Sequence, residues 1–359
     1  MKLELSEKLL TEFVTALDKT FSKPKQVCIT GGGGRVIFFT ARDSQQVAFS
    51  VETETKDFSV AVEAPRFMSA VKQVYGEHVA LEFKPKGIVL KYGDVQVDLP
   101  FQKPETQWFQ QDYAGFDVPD GFLKALTHTM FVPDTDLRFG GTLIDQLEDG
   151  SVVARFNGAA LAFTKIGTRF AQRFAIFKDF AKLAKTKTVF SHILVSDRGF
   201  GLKSEAGVET TSALMEDTYP QDYLPSFGLS VTGPLVNPNA FDLCYVFDAQ
   251  ELKDAVKLVS TVIGEDEQGL AFALEGREKE TQALVWLLSA KSYKGLHVEE
   301  RVRAGGELRA EPRGFKLHKR TLSKALDNYS ETMYLIDNQN AIILSDTDGN
   351  SVTVLMKLG

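Results

Sequence analysis

A strand, a short amphipathic helix and a run of strands recur along the chain. The clearest copy begins at Phe58, where Phe58, Val60 and Val62 alternate with polar or small residues at period two, as in a half-buried strand. Pro65 suits a first helical turn, where the missing N–H would have no partner anyway. Phe67, Met68, Val71 and Val74 follow at helical spacing and form one apolar stripe, with Arg66 and Lys72 off it. Gly76 fits a C-terminal stop. Strands are then expected at 79–83, 88–92 and 95–99, with turns at Pro85-Lys86-Gly87 and Gly93-Asp94.

Similar units precede and follow it. Leu9, Leu10, Phe13, Val14 and Leu17 predict a helix over 6–20 capped by Ser6, ahead of strands at 26–30, 35–40 and 46–51. The Gly31–Gly34 run between the first two reads as a hairpin tip. A phosphate-cradling loop would lead into a helix and end in Lys-Ser/Thr, whereas Arg35-Val-Ile-Phe-Phe-Thr is a strand. Periodicity breaks at 102–115, a connector with Trp108 and Phe109 as its anchors. Pro119 is expected to open the next helix, which bears Phe122, Leu123, Leu126 and Met130, with strands near 142–147, 152–156 and 160–166. A strand at 173–177 leads to a helix from Lys178 that turns Phe180, Leu183 and Ala184 inward, then to strands at 189–195, 199–203 and 208–215. A second connector, 219–238, is rich in Pro and Gly. Beyond it a strand at 243–247 and a helix over 249–262 with Leu252, Val256 and Val259 precede strands near 270–274, 283–289 and 296–302. After a polar break at 304–312, Phe315 opens the last unit, with a helix over 319–329 and strands at 332–337, 341–345 and 351–357.

Helix starts thus fall near 6, 65, 119, 178, 249 and 318, and the connectors divide them into three pairs. This predicts an α+β protein of three similar domains, 1–113, 114–237 and 238–359, each a pair of helix-plus-β-strands units. A length of 359 residues is long for a single core and agrees with that division. Hydrophobic residues at 43% and charged residues at 25% are ordinary for a globular protein. No run of apolar residues is long enough for a membrane span, so no membrane partner is expected. The amino terminus carries acids within its apolar pattern and does not read as a secretory signal. Cys28 and Cys244 lie far apart in apolar surroundings; free thiols fit best, with a disulfide as the alternative.

The net charge of −7 is unevenly distributed. Basic residues exceed acidic ones by six over the helix segments, which leaves −13 for the rest of the chain. Basic helices on an acidic body are what a protein needs to hold a polyanion on one surface and repel it elsewhere; solvated lysine faces are the plainer alternative. The candidate contacts are Arg66, Lys72, Lys124, Lys178, Lys182, Lys185, Lys187, Lys253, Lys257, Lys319, Arg320 and Lys324. No zinc-finger, helix-turn-helix or RNA-binding signature accompanies them, so binding would run through phosphates without regard to base sequence.

Catalytic patterns are missing. His78, His128, His192, His297 and His318 are scattered, and none shares metal-ligand spacing with a carboxylate or cysteine. There is no nucleophile elbow and no P-loop. Asp134-Thr-Asp136 and Glu265-Asp-Glu267 sit in polar breaks and read as solvated loops. Neither an enzyme nor a cofactor is expected.

With these units in place, the chain resembles the bacterial-type DNA polymerase sliding clamp, the β subunit family, in a divergent or phage-encoded form. Tyr219-Pro220-Gln-Asp-Tyr223-Leu224-Pro225 resembles the segment that leaves the second clamp domain. Arg155-Phe-Asn-Gly158-Ala-Ala-Leu161-Ala162 takes the place of the family's Thr-Asp-x-His-Arg-Leu-Ala strand, and Val352 to Leu358 resembles its apolar tail. The resemblance implies a homodimer closed head to tail into a ring, with helices inside and sheets outside. Its implied partners are double-stranded DNA, a DNA polymerase and an ATP-dependent clamp loader, in the cytoplasm of a bacterial cell or phage-infected host. It implies a hydrophobic pocket for partner peptides lined by Gly158, Leu161, Pro220, Val352, Val354 and Met356, and a subunit interface at Val97, Leu99, Val262 and Ile263. Ala159-Ala160 depart from the family's His-Arg, which alters the polar part of the pocket. The residues also fit a clamp-like scaffold that does not encircle DNA, or a multidomain enzyme without a recognisable motif.

Overall fold

In a computed structural model the chain forms two compact units, Met1–Pro119 with Ile176–Met215, and Asp120–Ala175 with Glu216–Gly359. The structure describes every residue except 75–77, 109–111, 133–139, 264–268, 292–294, 307 and 359, and only the backbone of Ile263. Gly76, Phe109, Asp134, Asp136 and the acidic run 265–267 therefore lie outside the described residues.

The first unit contains two antiparallel sheets. One has four strands in the order Lys2–Ser6, His78–Lys84, Gly87–Tyr92, Val95–Pro100. The other has eight, in the order Phe58–Glu63, Gln26–Gly32, Arg35–Arg42, Gln45–Glu52, Glu209–Ala213, Gly199–Ser204, Phe190–Val195, Ala114–Asp117. The second unit is built on a twelve-stranded sheet: Phe174–Ile176, Thr142–Leu147, Gly150–Phe156, Ala160–Ile166, Ser351–Met356, Ala341–Asp346, Thr332–Asn338, Cys244–Asp248, His297–Gly305, Leu284–Lys291, Gly269–Arg277, Phe315–His318. The middle stretch of sequence supplies both units. Its strand Glu209–Ala213 pairs with Gln45–Glu52, and its strand Ala160–Ile166 pairs with Ser351–Met356.

The helices are α1 (Glu7–Thr20), α2 (Ala64–Val71), α3 (Phe122–His128), α4 (Asp179–Ala184), α5 (Tyr223–Ser226), α6 (Ala249–Ile263) and α7 (Lys319–Leu326). Ser6 caps α1 by accepting from the Leu9 N–H at 3.2 Å, and Pro65 lies in the first turn of α2. Phe13 of α1 meets Phe67 of α2 and Phe49 of the sheet edge-on, which fixes both helices against the apolar face. The Gly31–Gly34 run is a hairpin: Gly33 and Gly34 hold φ of +59° and +79°, the pair of positive angles that a two-residue turn matching strand twist requires.

Several elements differ from the sequence reading. Lys2–Ser6 is an added strand, because Leu3 and Leu5 alternate inward against Val79 and Leu81 before the helix begins. Helix α3 starts at Phe122 rather than Pro119; Gly121 precedes it at φ +75°, a left-handed turn that delays the first helical residue. Helix α7 stops at Leu326, and Tyr329 folds back so that its hydroxyl donates to the Leu344 carbonyl at 3.1 Å. The second connector is not a loose link: Tyr219, Tyr223, Leu224, Leu229, Leu235 and Val236 are buried in an apolar cluster with Leu161, Val352 and Val354. Cys28 and Cys244 are free, and Trp108 stacks edge-on to Phe39 at 5.6 Å, holding the first connector on its sheet.

Candidate functional site

The basic residues are gathered by helix packing. In the first unit α1 lies between α2 and α4; in the second, α7 packs against α6 and against the 3-10 turn Thr129–Phe131 that continues α3. Each unit thus lays three helices side by side. Each helix buries its apolar stripe on a sheet and turns its polar side outward. Arg66, Lys72, Lys124, Lys182, Lys185, Lys187, Lys257, Arg320 and Lys324 are exposed on or just beyond these helices. The cations after α4 also sit favourably at the negative end of its dipole.

Three candidates are placed differently. Lys319 is only 6% exposed at the start of α7, so it is not presented to a ligand, and the expectation that it offers a phosphate contact fails. Lys253 is half-buried and donates to the Tyr329 carbonyl, tying α6 to the end of α7. Lys178 is half-buried at the N-terminal boundary of α4. Lys182 remains exposed but pairs with Asp179 at 2.6 Å, a surface contact of little stabilising value.

Basic residues that helix counting passes over surround two hollows of the first unit. Lys84 and Lys86, joined by Arg66 of α2, line one of about 330 Å³ beside the strand Val95–Pro100. Lys23, Lys25 and Arg42 line another of about 220 Å³. The sequence signal is the repeated Lys-Pro-Lys at 23–25 and 84–86, in which proline sets a turn between two cations.

Of the residues expected to line a docking pocket, Leu161, Val352, Val354 and Met356 lie in one apolar cluster. Leu161 is registered opposite Val354, and Val352 and Met356 flank Val354 on the same face of their strand. Asn157 shapes the turn before them, its Oδ1 accepting from the N–H groups of Ala159 and Ala160 at 2.9 and 2.7 Å. The Met356 N–H then donates to the Ala159 carbonyl at 3.1 Å. Exposure divides the set. Gly158, Ala159 and Pro220 are exposed and Met356 is half-buried, but Leu161 is 3% exposed and Val352 and Val354 are sealed. Those last three belong to core, because the segment Tyr219 to Val236 lies over them. Lifting it would expose six fully buried apolar side chains, a cost of roughly 10 kcal/mol or more. That exceeds the roughly 8 kcal/mol a micromolar peptide supplies. The segment is therefore a fixed wall, and the accessible surface is its rim at Pro220 with Gly158, Ala159 and Met356.

Arg173 and Lys165 hold this segment from the sheet. The Arg173 guanidinium donates to both Asp217 oxygens, to Asp145, to Gln221, and to the carbonyls of Tyr219 and Pro220. Burial works against its charge, and Asp217 and Asp145 more than offset it, so its pKa is raised. Tyr223 donates to Asp145 at 3.0 Å and stacks on Phe163; burial pushes the Tyr219 phenol up to about 12. Lys165 bonds Asp149 at 2.6 Å and the Gly233 carbonyl at 2.5 Å.

Two strand edges bear on the expected subunit interface. Val95–Pro100 ends its sheet, with Val95 44% exposed and Val97 half-buried; Leu99 is 1% exposed and belongs to the core, since its side chain shares a face with the buried Ile88 opposite. His297–Gly305 is paired on its outer side only through Ala304 and Gly305. Beside it α6 exposes Leu258 (48%) and Val262 (44%), one turn apart, and ends at Ile263. Among the described residues no cluster of His, Cys, Asp or Glu is placed to hold a metal, and no helix is long and apolar enough to cross a membrane.

No family model matches the sequence, and no curated protein matches it. Solved structures match it end to end. The DNA polymerase III β subunit of Thermotoga maritima superposes with a TM-score of 0.78 at 16% identity, covering 100% of this chain and 99% of that one. The DNA polymerase sliding clamp of Pseudomonas aeruginosa, crystallised with a ligand, gives 0.76 at 15% identity with 100% of each chain covered. The pol III β of Caulobacter crescentus gives 0.75 at 14% identity, again with 100% of each covered. The chain has the sliding-clamp fold.

Proposed function

We propose that this chain is a DNA polymerase processivity factor, a non-catalytic clamp without a cofactor. Two copies close head to tail into a ring of three domains per subunit (1–113, 114–237, 238–359), with helices toward duplex DNA and sheets outside. The observation that carries this reading is the row of neighbouring helices with exposed cations in each unit, on a chain that has the clamp fold throughout. Phosphate contacts of this kind are loose and independent of base sequence, so they permit sliding, while closure rather than affinity retains the ring. The edges at Val95–Pro100 and His297–Gly305 suit a head-to-tail contact, which needs two different patches. An ATP-dependent loader opens the ring, and polymerase docks at the rim around Pro220 and Met356.

Once loaded, the protein should remain on a closed plasmid circle in high salt and run off after a single cut. Equal retention on circles and linear fragments would remove the topological mechanism, and a strictly monomeric species at micromolar concentration would favour a scaffold that does not encircle DNA. Reversing Lys182, Lys185 and Lys187 to Glu should lower the salt slope of DNA association by about one per lost contact, without altering the fold. An unchanged slope in a fluorescence anisotropy titration would take α4 off the DNA path.

A further inference from the structure

We propose that Arg173 is the positioning residue of the docking rim: it sets Pro220 against the sheet and so fixes the shape that a partner peptide meets. This rests on the docking reading above. The guanidinium side chain is 14% exposed, and every one of its nitrogens is engaged. Nε and Nη2 grip Asp217 at 2.6 and 3.3 Å, Nη1 holds Asp145 at 3.0 Å, and Nη2 reaches the carbonyls of Tyr219 and Pro220 at 2.8 and 3.2 Å. Nη1 also reaches the Gln221 side chain at 3.3 Å. Asp217 and the three consecutive positions Tyr219, Pro220 and Gln221 are thus referred to one rigid fork, and Asp145 anchors that fork to the sheet.

The apolar residues behind the rim are sealed and cannot act as adjustable anchors, so the accessible relief depends on where the Tyr219–Gln221 backbone is held. Tyr219 and Tyr223 bury their rings, but ring burial alone leaves the Pro220 carbonyl free to rotate, and only Arg173 bonds it among the described contacts. A planar five-donor group is needed. A lysine at this position keeps the charge but places one point of contact where the arginine places several.

The probe is a fluorescein-labelled peptide selected from a random hexapeptide library on the full-length protein, chosen because Met356→Lys abolishes its binding. Arg173→Ala should raise its dissociation constant about tenfold or more and lower the melting temperature, since Asp145 and Asp217 lose their partner; Arg173→Lys should raise the constant about threefold, and circle retention should be unchanged in both. Exchange of the Tyr219 and Gln221 amides should quicken in both variants while that of 284–291 stays as it was. If Arg173→Ala fails to fold, Arg173→Lys and Asp217→Asn carry the same measurement. Wild-type affinity in the folded variants overturns the role of Arg173. Failure to obtain any Met356-dependent peptide overturns the docking reading and this inference with it.

Discussion

Leu258→Asp combined with Val262→Asp should leave the protein monomeric at micromolar concentration and unable to stay on circular DNA. Both side chains project from one face of α6, one helical turn apart, and are about half exposed in the isolated chain. Neither side chain belongs to the buried core, so the chain should still fold. In a closed ring the same face, beside the open edge of His297–Gly305, meets a second copy. Two carboxylates would then take the place of apolar side chains in the contact and be desolvated there. A buried unpaired charge costs several kcal/mol, so dimerisation should weaken by roughly two orders of magnitude or more. Val95→Asp, on the other open edge, should do the same, because a head-to-tail contact fails when either of its two patches is spoiled. Sedimentation velocity decides the matter: a dimer that persists in both variants would place the interface elsewhere.

The second large effect is an acid sensitivity that follows from His128. The imidazole is 4% exposed at the end of α3, bonded to the Thr164 hydroxyl at 2.5 Å and the Thr353 hydroxyl at 3.0 Å. The Thr353 hydroxyl in turn shares a hydrogen bond with the Tyr329 hydroxyl at 3.0 Å. This chain of polar groups joins α3, two adjacent strands and the end of α7 inside an apolar surround that includes Phe131. Burial, with Lys124 adding repulsion, pushes the imidazole down from 6.5 to about 3. The folded state thus keeps a neutral ring where the unfolded chain binds a proton. The stabilisation is complete above pH 6.5 and is lost as pH falls from there toward about 3. The expected slope is about 1.4 kcal/mol per pH unit, or roughly 3 kcal/mol between pH 6.5 and 4.5. Carboxylates titrate across the lower part of the same window, so the test is a difference. His128→Gln should be less stable than the parent at pH 7, and the gap should close as the solution is acidified. A gap that stays constant between pH 7 and 4.5 in urea titrations would show that the ring does not titrate against folding.

Much of this architecture is local and was legible. Alternation at Phe58, Val60 and Val62, the stripe of Phe67, Met68 and Val71, the cap at Ser6 and the turn at Gly33-Gly34 each concern neighbours within a few residues. Period and dihedral preference act at that range, so the order of helices and strands could be read directly. Even the asymmetry of charge between helices and the remainder is a property of composition along the chain. The added strand Lys2–Ser6 shows where such reading falls short at a boundary: two alternating leucines are too short a pattern to stand apart from the helix that follows.

What only the tertiary structure decided is which of these residues remain available. Leu161 and Val354 carry the same apolar signal whether they line a pocket or a core. They are core because a segment more than fifty residues beyond Leu161 folds over their face. Lys319 reads as a surface cation and is buried; Leu99 reads as an edge residue and is sealed. His128 is one of five scattered histidines until Thr164 and Thr353, from distant strands, enclose it. Arg173 has no motif around it, and its importance comes from Asp145, Asp217, Tyr219 and Pro220 converging on one side chain. Periodicity determines which way a side chain points relative to its own backbone. Burial, desolvation and multiple hydrogen bonding depend on what the rest of the chain lays over that side chain, and no local pattern specifies that cover.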